Sequence, residues 1–104
     1  MTGGTNNHLR ALGELAERLS ARGITIFEHW YSYEGFGSYT LVIGRGRSRL
    51  RFNWDGKDRW LRCCSTETAH SGIPTDWGKP KSVAYEGIGV LEGIEAAVNE
   101  RFAT

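Results

Sequence analysis

Apolar residues return at helical intervals in "NHLRALGELAERLSAR", residues 7–22, where Leu12, Leu15, Ala16 and Leu19 share one face with Leu9 beside them. Asn6 or Asn7 can cap the start, and Glu14 can pair with Arg18 one turn on. Gly23 can end the helix in a left-handed turn, with Ile24 supplying the apolar contact that closes it. Residues 1–6 are expected to be disordered.

From Ile24 to about Thr66 the period changes to two. β-branched and aromatic residues dominate, cut by turn signals at "EGFG" (34–37), "GRG" (44–46) and "DGKD" (55–58). Four strands follow, near 24–33, 38–44, 47–54 and 59–66, in an up-and-down antiparallel order. A two-residue loop at Asp55-Gly56, with positive φ at both positions, sets Phe52 opposite Arg59. A four-residue loop, Asp55 to Asp58, sets Phe52 opposite Leu61. Both give the same parity, so Leu50, Phe52, Leu61 and Cys63 share one face, joined by Tyr39, Leu41 and Ile43 through a tight turn at Arg45-Gly46. The opposite face carries Thr40, Val42, Arg49, Arg51, Asn53, Trp60, Arg62 and Cys64. The first strand adds His29, Tyr31 and Tyr33 to that outer face, unless the "EGFG" turn slips by one and exchanges them for Glu28 and Trp30.

Residues 67–81, "ETAHSGIPTDWGKPK", show no period and hold both prolines, which predicts a long loop. Trp77 within it is either an anchor tucking the loop onto the core or an exposed binding residue. Ala84, Ile88, Leu91, Ile94, Val98 and Phe102 then follow helical spacing. Gly87, Gly89 and Gly93 interrupt it, so the helix starts near Gly89 and "KSVAYE" is open to being a short extra strand. The expected fold is α+β: a two-layer, four-stranded antiparallel meander with an N-terminal and a C-terminal helix packed on one face, in the order α-β-β-β-β-α. The outer face is then left open to water.

A chain of 104 residues fits one domain, 1–104. No apolar run approaches the roughly 20 residues needed to span a bilayer, and "MTGGT" lacks the layout of a secretory signal. A cytoplasmic protein is expected. Adjacent Cys63 and Cys64 point to opposite faces of a strand and so do not bond to each other; one should be a small buried hydrophobe and the other a surface thiol. With His70 they match no zinc spacing, so neither a metal nor another cofactor is expected.

The net charge of +1 is unevenly spread. Residues 45–62 set seven basic side chains against Asp55 and Asp58, while residues 83–104 set four glutamates against Arg101. The basic segment places Arg49 and Arg62 opposite each other or one diagonal apart, a repulsion of up to about 1 kcal/mol that a surface selected only for stability can avoid. Trp60 beside Arg51 offers a stacking platform among guanidinium groups, the pairing that holds single-stranded bases and phosphates. Arg49, Arg51, Arg62 and Trp60, with Tyr31 and His29 behind them, are the candidate ligand-binding residues. The competing reading is structural: arginine stems lie over Trp60 and their heads stay solvated.

The helix–strands–helix outline resembles that of double-stranded-RNA-binding domains. The family's histidine-containing loop is missing, however, and only Lys79 and Lys81 precede the second helix, so membership does not follow. Glu67, His70, Ser71 and Asp76 are residue types that could make a nucleophile and base, but no nucleophile-elbow pattern accompanies them, and "GIGVLEG" lacks the lysine and spacing of a phosphate loop. The expectation is a non-enzymatic binding module that holds an anionic partner or nucleic acid on the exposed arginine/aromatic face. The alternative is a protein–protein interaction, of an inhibitor or immunity type or between two copies in a homodimer, using the same face or the 67–81 loop.

Overall fold

A computed structural model of the chain describes residues 3–32, 34, 37–67, 77–83 and 90–102. They form α1 (Gly3–Ser20), β1 (Thr25–Ser32), β2 (Ser38–Arg45), β3 (Ser48–Asp55), β4 (Trp60–Glu67), β5 (Lys81–Ser82) and α2 (Val90–Arg101). The strands make one antiparallel sheet in chain order, β1 to β5. The expected meander is thus present, with β5 added where the sequence left a short strand open; it pairs Ser82 with Arg62 and Lys81 with Cys63. The helix begins at Gly3, so its first turn occupies residues expected to be disordered.

Both helices pack on one side of the sheet. Leu15 and Leu19 of α1 and Ile94 and Val98 of α2 meet Tyr39, Leu41, Ile43, Leu50, Phe52, Trp54 and Leu61 in a single core. α1 stops as its sequence predicts: Gly23, at φ +72°, donates its N–H to the Ser20 carbonyl, and Ile24 donates to that of Leu19. This double closure satisfies two carbonyls at the helix end and brings Ile24 down onto Leu19. Arg18 of α1 clasps Glu95 of α2 through two hydrogen bonds of 2.8 and 3.0 Å. Arg22 reaches Asn99 and the Phe102 carbonyl. Among the described residues, no helix is long and apolar enough to cross a membrane.

Register settles which side chains share a face. Ile43 pairs with Leu50 and Phe52 with Cys63, the parity that both turn lengths required. The β3–β4 turn itself differs from the expected Asp55-Gly56 hairpin. It runs from Gly56 to Arg59 between paired Asp55 and Trp60, and the positive φ falls on Arg59. Asp55 dictates this shape: its carboxylate accepts the N–H groups of Lys57 and Asp58, and its carbonyl accepts that of Arg59.

β1 departs further. Tyr31 pairs with Tyr39 and His29 with Leu41, which puts both on the helix side of the sheet, while Glu28 and Trp30 take the outer face. His29 and Tyr31 were expected outward, and the structure corrects this. Residues 33–37 separate the paired Ser32 and Ser38, one more than "EGFG" supplies, and the turn closes by the Gly37 N–H donating to the Ser32 carbonyl. Tyr33 lies outside the described residues. A bulge between Ile26 and Glu28 then returns Ile26 to the core side and turns Phe27 out.

Candidate functional site

The outer face is not the open arginine surface that alternation implies. Arg49 is only 1% exposed, and Val42 and Cys64 are equally covered on the same face. Phe27, thrown outward by the bulge, lies over the Arg49 guanidinium at 4.1 Å. That guanidinium donates to the carbonyls of Gly46 and Ser48 at 2.7 and 3.0 Å. Gly44, the partner of Arg49 across the ladder, makes room for it: a Cβ there would stand 2.7 Å from Arg49 Cδ. Arg49 is therefore a packed side chain within a second, smaller layer.

Arg51 is partly covered. Trp77 lies against its guanidinium, with the ring centroid at 4.8 Å, and Arg51 Nη2 donates to Cys64 Sγ at 3.7 Å. Trp77 is thus an anchor, as one sequence reading held, but it anchors on the outer face and not on the helix-side core. Of the two cysteines, the buried one is Cys64 beneath this cover, while Cys63 on the helix side is half-buried. The supposed facing pair of arginines is absent, because Arg49 pairs with Thr66 and Arg62 with Asn53. The repulsion argument for an anion site falls with it. The remainder of the expected 67–81 loop, residues 68–76, lies outside the described residues, and with it His70, Ser71 and Asp76.

What remains open is the other end of the same face. A groove of about 400 Å³ runs round the end of the sheet there, lined from the outer face by Trp30, Thr40, Asn53, Asp55 and Trp60 and from the helix side by Tyr31, Tyr39 and Trp54. Trp30, Thr40, Asn53 and Arg62 stand in one cross-strand row over β1–β4. Trp30 is 66% exposed, and its indole N–H is held by the Glu28 carboxylate. At the far wall the Arg62 guanidinium stacks on Trp60 at 4.4 Å. Between them Thr40 Oγ1 donates to Asn53 Oδ1 at 2.8 Å, which fixes the amide so that its NH₂ is the group offered to a ligand. Three strand spacings of about 4.8 Å set the two walls about 14 Å apart. This is a polar strip ending in an indole at each side, suited to an extended ligand with flat, polar units. Of the six expected ligand-binding residues, Tyr31 and Trp60 line it, and Arg62 stands beside it on the Trp60 ring. Trp30 entered the sequence reading only through the slipped register.

On the helix side, His29 and Tyr31 meet a residue that sequence reasoning passed over. His8 stacks on Tyr31 and His29 at 4.4 and 5.2 Å and leans on Tyr39 at 4.7 Å. His8 Nε2 and His29 Nε2 share a hydrogen bond of 3.0 Å. The signal was present, since His8 stands ahead of Leu12, Leu15 and Leu19 on the same helical stripe. Burial, and secondarily the charge of His29, lowers the His8 pKa from 6.5; burial alone lowers that of His29. Burial also pushes the Tyr39 phenol up, with Glu92 adding to it. Neutral imidazoles suit the shared bond, in which one nitrogen donates and the other accepts.

This pair makes stability pH-dependent. An unfolded chain takes up protons on both histidines before the folded chain does, so their contribution is complete above about pH 6.5 and is lost as the pH falls below it. Thermal unfolding between pH 7.5 and 5 is expected to show a falling midpoint, with a shallower acid slope in His8→Phe. An unchanged slope in that variant would remove His8 from the account.

Among the described residues, no group of three or more His, Cys, Asp or Glu side chains is placed to hold a metal ion. No family model matches the chain, nor does any curated protein or solved structure.

Proposed function

We propose that this domain is a non-enzymatic binding module that holds single-stranded nucleic acid across the end of its outer face. Bases would stack on Trp30 and against the Arg62–Trp60 pair, and a phosphate would contact Arg62. The observation that carries this reading is Trp30, a large apolar ring left 66% exposed at one end of a polar strip whose other end is a guanidinium-stacked tryptophan. Stacking on an indole is worth about 1–3 kcal/mol per base and tolerates any sequence. Thr40 and Asn53 between the walls add hydrogen bonds to base edges or sugar hydroxyls. Adjacent free thiols on opposite faces support a reducing, cytosolic setting.

An amide-shift titration with a short mixed-sequence single strand tests the reading. Shifts are expected at residues 30, 40, 53 and 60–62. Trp30→Ala should lower affinity about 5- to 150-fold, with stability altered by no more than about 0.5 kcal/mol, as for other exposed positions. Because Arg49 is buried and Arg51 partly covered, only about one phosphate is neutralised, at Arg62, and the log–log salt slope should be about −0.7. No shifts at low salt would overturn nucleic-acid binding.

A second reading has an observation of its own. Trp30 lies on β1, which is the edge of the sheet, and an exposed edge with an exposed indole also fits a protein partner of inhibitor or immunity type, or a second copy of the chain. Concentration-dependent shifts at residues 25–32 without oligonucleotide, and a doubled mass by light scattering, would favour the homodimer.

A further inference from the structure

The helix side of the sheet carries a second cavity, independent of the outer-face groove. It opens where β4 and β5 meet α2 and has a volume of about 270 Å³. Its floor is apolar, made by Leu50, Cys63 and Ala97. Its rim is cationic: among the described residues, Lys79, Lys81 and Arg101 stand around it, against the carboxylate of Glu100. The fold explains both features. β5 is only two residues long, and Lys81 pairs with Cys63, so the lysine falls on the helix side, above the half-buried thiol. On α2 the facing position is Ala97, whose small side chain leaves unfilled the space a leucine would take. Arg101 is steadied at the mouth by Ser48 Oγ at 3.3 Å.

We propose that this cavity binds a small amphiphilic carboxylate, its alkyl body on Leu50, Cys63 and Ala97 and its carboxylate between Lys81 and Arg101. The volume equals that of about nine waters at roughly 30 Å³ each, which matches a chain of about eight carbons. Water fares poorly over such a floor, beside which Ser65 is the one neutral hydroxyl among the described lining residues. An anionic head is favoured over a neutral or cationic one because the described residues of the rim are cationic by three groups to one. The Cys63 thiol, pushed up to about 12 chiefly by burial, stays protonated and behaves as part of the apolar floor.

The test is a methyl and amide NMR titration of the full chain with hexanoate, octanoate and decanoate, alongside octanol and octylammonium. Octanoate is expected to shift Leu50, Cys63, Ser65, Lys81 and Ala97, with affinity rising about fourfold per added methylene until the cavity is full. Lys81→Glu, on an exposed side chain, should weaken octanoate at least tenfold, and Ala97→Leu should abolish the shifts. Octylammonium or octanol binding as tightly as octanoate would overturn the proposal. So would undiminished binding by Lys81→Glu, or octanoate shifts that fall on Trp30 and Trp60 instead.

Discussion

Arg49→Ala should lower the stability of this domain by about 3 kcal/mol, while Arg62→Ala, four strand positions away on the same face by sequence alternation, should change it by less than about 0.5 kcal/mol. The contrast follows from burial. Arg62 is exposed, whereas Arg49 is 1% exposed and packed between the Gly44 backbone and the Phe27 ring. Truncation removes charge-assisted bonds to the carbonyls of Gly46 and Ser48, worth about 1.5–3 kcal/mol each at most. It also removes a desolvated cation–π contact of about 2 kcal/mol. Part of this returns as carbonyl hydration and relaxation, hence the smaller net figure. In a domain of this size the unfolding midpoint should drop by about 15 °C. A shift no larger than that of Arg62→Ala would mean that Arg49 is a solvated surface charge after all.

Gly44→Ala should cost a comparable amount, about 3 kcal/mol, at the upper end of what overpacking costs. The added methyl would press on the Ser48 carbonyl oxygen and stand 2.7 and 2.8 Å from Arg49 Cδ and Nη1. A side chain can swing away, but the paired backbone of β3 cannot. Thermal or denaturant unfolding of Gly44→Ala, Arg49→Ala and the double variant separates the two contributions. The double variant should cost less than the sum, because the clash with the arginine has gone while that with the carbonyl persists. Strict additivity would show that the methyl never met Arg49.

The contrast between these two arginines marks where the sequence stops being readable. Alternation put the residues it placed on β2, β3 and β4 on their correct faces, because a period of two survives any even change in turn length: Phe52 pairs with Cys63 where Arg59 and Leu61 were the partners weighed, yet remains inward. Turn length is fixed by local hydrogen bonds such as those to the Asp55 carboxylate, and hydrophobic pattern is blind to them. β1 was misplaced for the same reason in its odd form. One extra turn residue before Ser38 and one bulged residue at Phe27 each reverse the parity, and neither leaves a trace in an aromatic-rich strand such as "TIFEHWYS". Covering of the outer face was less legible still. Burial of Arg49 depends on Phe27 and the partial cover of Arg51 on Trp77, partners distant in sequence whose approach no periodicity encodes. Trp30 was legible only as the alternative to a turn that proved to be longer.

The clasp between α1 and α2 bears on the time course of folding. Each strand of the meander pairs with its neighbour in sequence, so the sheet from β1 to β4 assembles through short loop closures. The Arg18–Glu95 contact instead joins residues 77 positions apart. Closure entropy grows with the logarithm of loop length, so the helix–helix contact repays its cost only once the sheet has shortened the path between its partners. Docking of α2 against α1 then belongs to the late, downhill side of the barrier. Loosening that clasp would accelerate unfolding and leave the refolding rate nearly untouched, which makes the lifetime of the folded state, more than the speed of reaching it, the property set by these two helices.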